Sequence, residues 1–397
     1  MTTEAFPASR AAALARLAAF APRMGAAYAA GRNSDPGPGQ RADVSLLSPA
    51  VRHRLVTEAE LVGTALAHHG AARADKFIQE VFWRSYWKGF LELRPGLWDD
   101  YRAALARDRA ALATNGGLRK VYETAVAGAT GIACFDAWMA ELRDSGWLHN
   151  HVRMWMASIW IFTLRLPWSL GADLFLHHLL DGDAASNTLS WRWVAGIQTP
   201  GKHYVARAEN IRRHTLGRFD PTGELDEAPM PLAAPPLPAL RTLLRADALP
   251  AGPFLLLLHE DDLHAESLLP AGALVAGIGG VAVPERRGPT GCAPQVAAYA
   301  RQALEDSLSR AAQHFAAPAE MLALEDVARW AAGRPVVTPF APVGWTAEAL
   351  ESVGVKLIRR RRDWDEACWP RATKGFFPFR ESIPALLDRL RPSAPMG

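Results

Sequence analysis

Through the first 220 residues apolar side chains recur every three or four positions and never settle into the two-residue alternation of a half-buried strand. That periodicity confines the first half of the chain to helices. In "DKFIQEVFWRSYWKGFLEL" the stripe runs through Phe77, Val81, Tyr86 or Trp87, Phe90 and Leu91, and Pro95 ends it. "TGIACFDAWMAELRDSGW" and "HNHVRMWMASIWIFTLRL" continue the pattern, with Gly146 and Pro167 as breakers. The most apolar stretch, "MWMASIWIFTL" at 154–164, has 11 residues, too few to span a bilayer, and reads as a buried helix.

Residues 220–239, "DPTGELDEAPMPLAAPPLPA", are dense in proline and acid and read as a linker between domains. Beyond it the texture changes. "PFLLLLHE", "GALVAGIGGVAV", "RPVVTPFA" and "VKLIRR" are short apolar runs bounded by Gly, Pro or charge, with a helical segment at 295–316 between two of them. The expected fold class is α + α/β: a helical domain over 1–219, the linker over 220–239, and a smaller α/β layer domain with a partly parallel sheet over 240–397. A chain of 397 residues, 49% hydrophobic, is long and apolar enough to bury two cores.

Charge is unevenly placed. Residues 1–220 carry 26 Lys and Arg against 20 Asp and Glu, or +6, and the remainder carries 18 against 21, or −3. Ten of the 14 tryptophans also fall in the first part, so any polyanionic partner belongs to that half. Cys134, Cys292 and Cys368 are far apart and form neither a disulfide framework nor a four-thiolate metal or iron–sulfur site by themselves. The N-terminal "MTTEAFPASRAAALARLAAF" has arginines where a signal sequence needs an apolar core, so a reduced cytoplasmic setting without membrane insertion is expected.

Three stretches carry candidate chemistry. In "HNHVRM", Asn150 and Met154 share one helix face, as do His149 and Arg153, although an ordinary amphipathic helix start explains them too. In "QEVFWRSYW", Glu80, Trp83, Arg84 and Trp87 lie three or four apart, equally compatible with a surface ion pair and core indoles. In "LLDGDAASNTLSWRWVAG", Trp191 and Trp193 project about 200° apart on a helix, so one can face the interior while the other opens outward. Asp181 and Asp183 precede that helix as hydrogen-bond acceptors or caps.

Taken together, these stretches resemble the FAD-binding domain of the DNA photolyase/cryptochrome family. The resemblance runs from about Tyr28 to Asn210 and adds "YAAGRN" at 28–33, "VSLLSPAVRHRLVTEAEL" at 44–61 and "LPW" at 166–168, in the family's order and spacing. It implies an all-helical domain holding a non-covalent, U-shaped FAD. Tyr28, Val44, Ser45, Leu46, Leu47 and Ser48 correspond to the diphosphate and ribityl side, with Val44 where a threonine is usual, and Arg84 to an arginine near the phosphates. Asn150, Arg153, Asp181 and Asp183 correspond to flavin and adenine contacts, and Asn187 to the residue facing flavin N5. The implied activity is light-driven electron transfer from excited reduced FAD into a cyclobutane pyrimidine dimer flipped out of UV-damaged DNA. Glu80, Trp83, Asn150, Met154 and Trp193 match the five lesion-pocket positions, with the two indoles as stacking walls. The alternative class is a cryptochrome-like blue-light photoreceptor without repair.

Departures from the family are equally specific. Trp191 and Trp168 match the inner two of three relay tryptophans, but Ala125 stands at the outer position; Tyr122, Trp138, Trp155 and Trp160 are the replacements at hand. His151 replaces a frequent arginine, leaving Lys202, Arg207, Arg212 and Arg213 as phosphate contacts. The family's α/β antenna domain usually comes first; here the α/β segment follows, as a permuted or degenerate counterpart or an unrelated domain, and a second chromophore is left open. "HEDDLH" at 259–264 reads as a loop rather than a metal site, so no metal is assigned. "GIGG" lacks the helix-opening context of a dinucleotide fingerprint, "RRRR" at 359–362 reads as a solvated edge, and "ATKGFFPFRESIP" receives no assignment.

Overall fold

The computed structural model describes residues 6–395. They divide into two compact units, one built from residues 30–44 and 95–239, the other from residues 6–29, 45–94 and 240–395.

The first unit is helical. Its helices include Gly96–Thr114, Gly116–Ala127, Ala133–Ser145, Asn150–Ser158, Trp168–His178 and Ala184–Val194. Local chemistry sets their ends. The Asn115 side chain accepts from Leu118 N at 3.0 Å, and the left-handed Gly128 (φ 67°) and Gly146 (φ 66°) close the second and third of these helices. The apolar run at 154–164 is not one uniform helix: after Ser158 it widens into a π turn over Ile159–Thr163 before Pro167 stops it. Residues 220–239 form no helix or strand, and part of that segment is tied to this unit. Asp226 N donates to Thr163 Oγ1 at 3.1 Å, Ala208 N to Glu227 Oε1 at 2.7 Å, and Leu232 N to Ala195 O at 3.0 Å.

The second unit is built on a five-stranded sheet: β1 (Phe254–His259), β2 (Val275–Val281), β3 (Ala319–Met321), β4 (Val336–Pro339) and β5 (Leu357–Arg360). The order is β3-β2-β1-β4-β5 and every pairing is parallel. The four apolar runs of the sequence are β1, β2, β4 and β5. The three-residue β3 carries no apolar run because it is a largely exposed edge. β1 is buried along its whole length, which explains five apolar residues in succession. In β2, Gly280 lets the helix Pro294–Phe315 approach: a Cβ there would lie 2.9 Å from Leu304 Cδ1 and 3.0 Å from Leu308 Cδ1. "GIGG" therefore serves helix-on-sheet packing.

This unit also contains the helix Glu58–Leu93, interrupted at Gly70 (φ 67°, ψ 166°) and opened by a capping box between Thr57 and Glu60. Its indole-rich half packs on the C-terminal segment: Trp364 Nε1 donates to Ser85 Oγ at 2.7 Å, and Phe82 stacks on Trp364 at 4.9 Å. A Cβ on Gly89 would lie 2.7 Å from Trp369 Cα. No helix among the described residues is long and apolar enough to cross a membrane.

Candidate functional site

In the helical unit most of the predicted residues lie on the helices Asn150–Ser158, Trp168–His178 and Ala184–Val194 and on the turn before the last of these. Arg153, on Asn150–Ser158, meets Asp181 fork to fork, with Nη1–Oδ1 3.0 Å and Nη2–Oδ2 2.8 Å, while its Nε donates to Leu148 O at 3.0 Å. Two residues expected as separate cofactor contacts thus hold each other; the planar guanidinium matches the carboxylate in a way a lysine cannot. Asp183 caps Ala184–Val194, accepting from Ser186 N at 2.8 Å. Asn187, one turn on and buried, donates its Nδ2 to Ala172 O at 2.9 Å. That bond orients the amide and leaves Oδ1 as its second polar atom. Asn150 is exposed and Met154 half-buried on the same helix.

Trp191 and Trp193 go to different surroundings, as their spacing requires. Trp191 is 3% exposed, with its ring 5.1 Å from Phe175 and 6.4 Å from Trp160. Its Nε1 is buried without a partner among the described residues. Trp193 is half-buried and stacks on Tyr204 at 5.7 Å. Trp160 continues to Tyr122 at 5.9 Å, giving the ring sequence Trp191–Trp160–Tyr122. Gly171 makes the first contact of that series feasible: a Cβ there would lie 2.2 Å from Trp191 Cη2 and 3.0 Å from Trp160 Nε1. Trp168 instead has its ring 5.8 Å from Tyr101 and lines a surface cavity of about 480 Å³ with Phe162, Pro167 and Met230. Burial raises the Asp173 carboxyl to about 6 despite Arg109 Nη1 3.6 Å away. His151 stacks on Trp155 at 5.2 Å and His214 at 5.4 Å, and burial lowers it to about 4, so it is neutral at physiological pH where an arginine would be charged. Lys202, Arg207, Arg212 and Arg213 are exposed.

In the α/β unit, Tyr28 is buried, its ring edge-on to Phe77 at 5.2 Å. Ser45 Oγ accepts from Leu47 N at 3.4 Å, and Leu46 between them is left-handed (φ 54°), a strain of about 1–3 kcal/mol for a residue with a side chain. Ser48 opens the short helix Ser48–Arg52. Val44 belongs to the helical unit. Arg84 binds Glu58 (Nε–Oε1 3.1 Å) and donates to Arg52 O at 3.4 Å. Burial alone would raise the Glu58 carboxyl, but Arg54 and Arg84 outweigh it and hold it at about 2. Glu80 and Trp83 are half-buried. One face of the Trp83 indole is taken by Phe376, stacked at 3.6 Å and 11°. That partner comes from "ATKGFFPFRESIP", and its only signal in the sequence was a cluster of phenylalanines among cations.

"HEDDLH" is occupied by arginines. After β1, Asp262 accepts from Arg54 Nη1 at 3.1 Å and Arg362 Nε at 2.6 Å, Asp261 pairs with Arg52, and Trp345 Nε1 donates to Glu260 Oε1 at 2.7 Å. Arg54 Nη2 also binds Asp365 at 2.7 Å, and His53 Nδ1 lies 2.6 Å from Glu260 O. The "RRRR" edge is correspondingly not all solvated: Arg361 is 4% exposed over Phe340 and Trp369, and Arg362 is spent on Asp262. Strand order reverses between β1 and β4, where open α/β sheets bind ligands at their carboxyl ends. Here the Arg52–Arg54 segment supplies the partners of the residues after β1, and Arg54 at φ 52° is bent to do so.

Residues 77–227 match the family model described as the FAD binding domain of DNA photolyase. The chain is 35% identical over 181 residues to deoxyribodipyrimidine photo-lyase from Streptomyces griseus, covering 42% of this chain and 38% of that protein. To the photo-lyase of the same name from Escherichia coli it is 28% identical over 203 residues, covering 51% and 42%. It is 37% identical over 97 residues to cryptochrome-1 of Arabidopsis thaliana, covering 24% and 14%. Among solved structures, a bacterial class III photolyase from Agrobacterium tumefaciens overlaps with a TM-score of 0.43 at 28% identity, over 52% of this chain and 42% of that one. The chain spans about two fifths of the length of the first two relatives.

Proposed function

We propose that this chain, whose residues 77–227 match the FAD binding domain of DNA photolyase, binds FAD non-covalently and splits cyclobutane pyrimidine dimers in UV-damaged DNA with light. The observation that carries this reading is Asn187. Its Nδ2 is held by Ala172 O, so Oδ1 is left to accept a hydrogen bond from the N–H of a reduced flavin, and no fixed charge is brought to the ring. The buried, unpartnered Nε1 of Trp191 and the polar cap Asp183 fit the same kind of ligand. By the resemblance, Tyr28, Val44 and Ser45–Ser48, with Arg84, would hold the phosphate and ribityl part of FAD, and Asn150, Arg153, Asp181, Asp183 and Asn187 would contact its flavin and adenine parts.

Bound in its reduced form, FAD would supply a photoexcited electron that is returned after ring splitting, so the chemistry would be redox-neutral. The chain's own residues hold the lesion and exclude water. In the helical unit Trp193 would offer an indole face to a flipped base, with Met154 beside Asn150 as apolar and hydrogen-bonding contacts; in the α/β unit Trp83 and Glu80 would offer the same two kinds of contact. Trp191 would pass an electron to bound oxidised FAD and be re-reduced by a reductant from solution. Its ring contact with Trp160 favours Trp160 and Tyr122, rather than Trp168, as the onward route.

One observation favours the second reading, a blue-light photoreceptor without repair: Phe376 covers a face of Trp83. A single assay separates the two. Reduced, flavin-loaded protein is illuminated with blue light in the presence of a dimer-containing oligonucleotide, and intact pyrimidines are counted. Repair that slows at least tenfold in Glu80→Ala is expected; bound FAD with no repair by the unaltered chain gives the photoreceptor reading.

A further inference from the structure

Residues 371–380, "RATKGFFPFR", form a tip whose inner side is anchored and whose outer side is not. Ala372, Phe376 and Phe379 are buried, Tyr86 Oη donates to Lys374 O at 2.9 Å, and Arg94 Nη2 donates to Thr373 O at 2.8 Å. These contacts fasten the tip to the helix Glu58–Leu93. Left outside are Phe377, 71% exposed, and the side chains of Arg371, Lys374 and Arg380, all exposed. The ten residues contain no acid, and none of the three cations has an ion-pair partner among the described residues.

A lone exposed aromatic is ordinary surface. This one extends a line of rings: Trp83 stacks on Phe376 at 3.6 Å, and Phe376 meets Phe377 edge-on at 6.5 Å. Its backbone neighbours are pinned, so holding the ring in place costs little entropy at binding. A fixed aromatic face bordered by unpaired cations is the chemistry that binds single-stranded nucleic acid, with a base on the ring and phosphates on the cations. A membrane surface is the poorer match, because one phenylalanine buries too little apolar area to hold a protein at a bilayer.

We infer that Phe377, framed by Arg371, Lys374 and Arg380, is a contact site for an unpaired nucleotide of DNA. The choice of DNA rests on the repair reading; the site itself rests on the tip's geometry.

The test uses the full flavin-loaded chain and fluorescence anisotropy with three oligonucleotides: a single strand, an intact duplex and a dimer-containing duplex. Phe377→Ala should weaken the single strand and the damaged duplex about tenfold, and Phe377→Trp should restore binding and show indole quenching by bases. Replacing Arg371, Lys374 and Arg380 by Gln should lower the slope of log affinity against log salt by about 2 for the single strand. Unchanged melting temperatures will show that the variants fold. Unchanged affinity in Phe377→Ala together with an unchanged salt slope overturns the site, and if repair persists in that variant the repair reading stands without it. Tip-dependent binding by a chain that repairs nothing keeps the site and ends the repair reading. No binding of any oligonucleotide ends both. Sedimentation with phosphatidylserine vesicles that is lost in Phe377→Ala, without an effect on DNA, assigns the tip to membranes instead.

Discussion

Arg153 and Asp181 face each other through two parallel hydrogen bonds of 3.0 and 2.8 Å, and the Asp181 side chain is 4% exposed. The pair locks the start of one helix to the turn before another, which places Asn187. Asp181→Asn leaves the Arg153 guanidinium without its counter-charge and should cost about 2–3 kcal/mol. Arg153→Lys keeps the charge but loses the fork and should cost less. Chemical denaturation with and without added FAD checks both, and equal stability for Asp181→Asn and the unaltered chain would sink the assignment.

Gly171 sits where the Trp191 and Trp160 rings meet. Gly171→Ala puts a methyl group 2.2 Å from Trp191 Cη2, and overpacking of this kind costs about 1–3 kcal/mol. The expected signature is a lower melting temperature with altered tryptophan fluorescence.

Photoreduction should depend on the same rings. Trp191→Phe and Trp160→Phe are each expected to slow light-driven reduction of bound oxidised flavin by an order of magnitude or more. Trp168→Phe should slow it less, since the Trp168 ring lies against Tyr101. Repair by chemically reduced protein should be nearly unchanged in Trp160→Phe. Transient absorption distinguishes the routes; a larger loss in Trp168→Phe than in Trp160→Phe would reverse the order given.

Stability should fall on mild acidification. Burial lowers His149, His151, His178 and His264 each to about 4 and also lowers His53 well below its ordinary value. Folded values below the unfolded value of about 6.5 mean that the folded chain binds fewer protons. Their contribution is therefore complete above about 6.5 and is lost as pH falls towards 4, against a smaller gain from Asp173, whose carboxyl is raised to about 6 and takes up its proton more readily in the folded chain. Glu58, held at about 2, adds a second loss below about pH 4. Melting temperature measured from pH 8 to pH 4 should drop most steeply between 6.5 and 4; a flat profile there would mean these rings are not buried neutral.

The helical first half, the strand-bearing second half and the separate surroundings of Trp191 and Trp193 were legible in the chain because each is a local property. Three-to-four-residue spacing makes helices, bounded apolar runs make buried parallel strands, and two residues turn a helix by about 200°. Partners distant in sequence were not legible. Nothing local marks Phe376 as the ring on Trp83, 293 positions earlier, or Arg54 as the cation for Asp262 and Asp365. A stacking face or a carboxylate accepts any ring or guanidinium brought to it, so composition cannot name the partner. Only the folded path of the backbone chose which ring and which cation arrived.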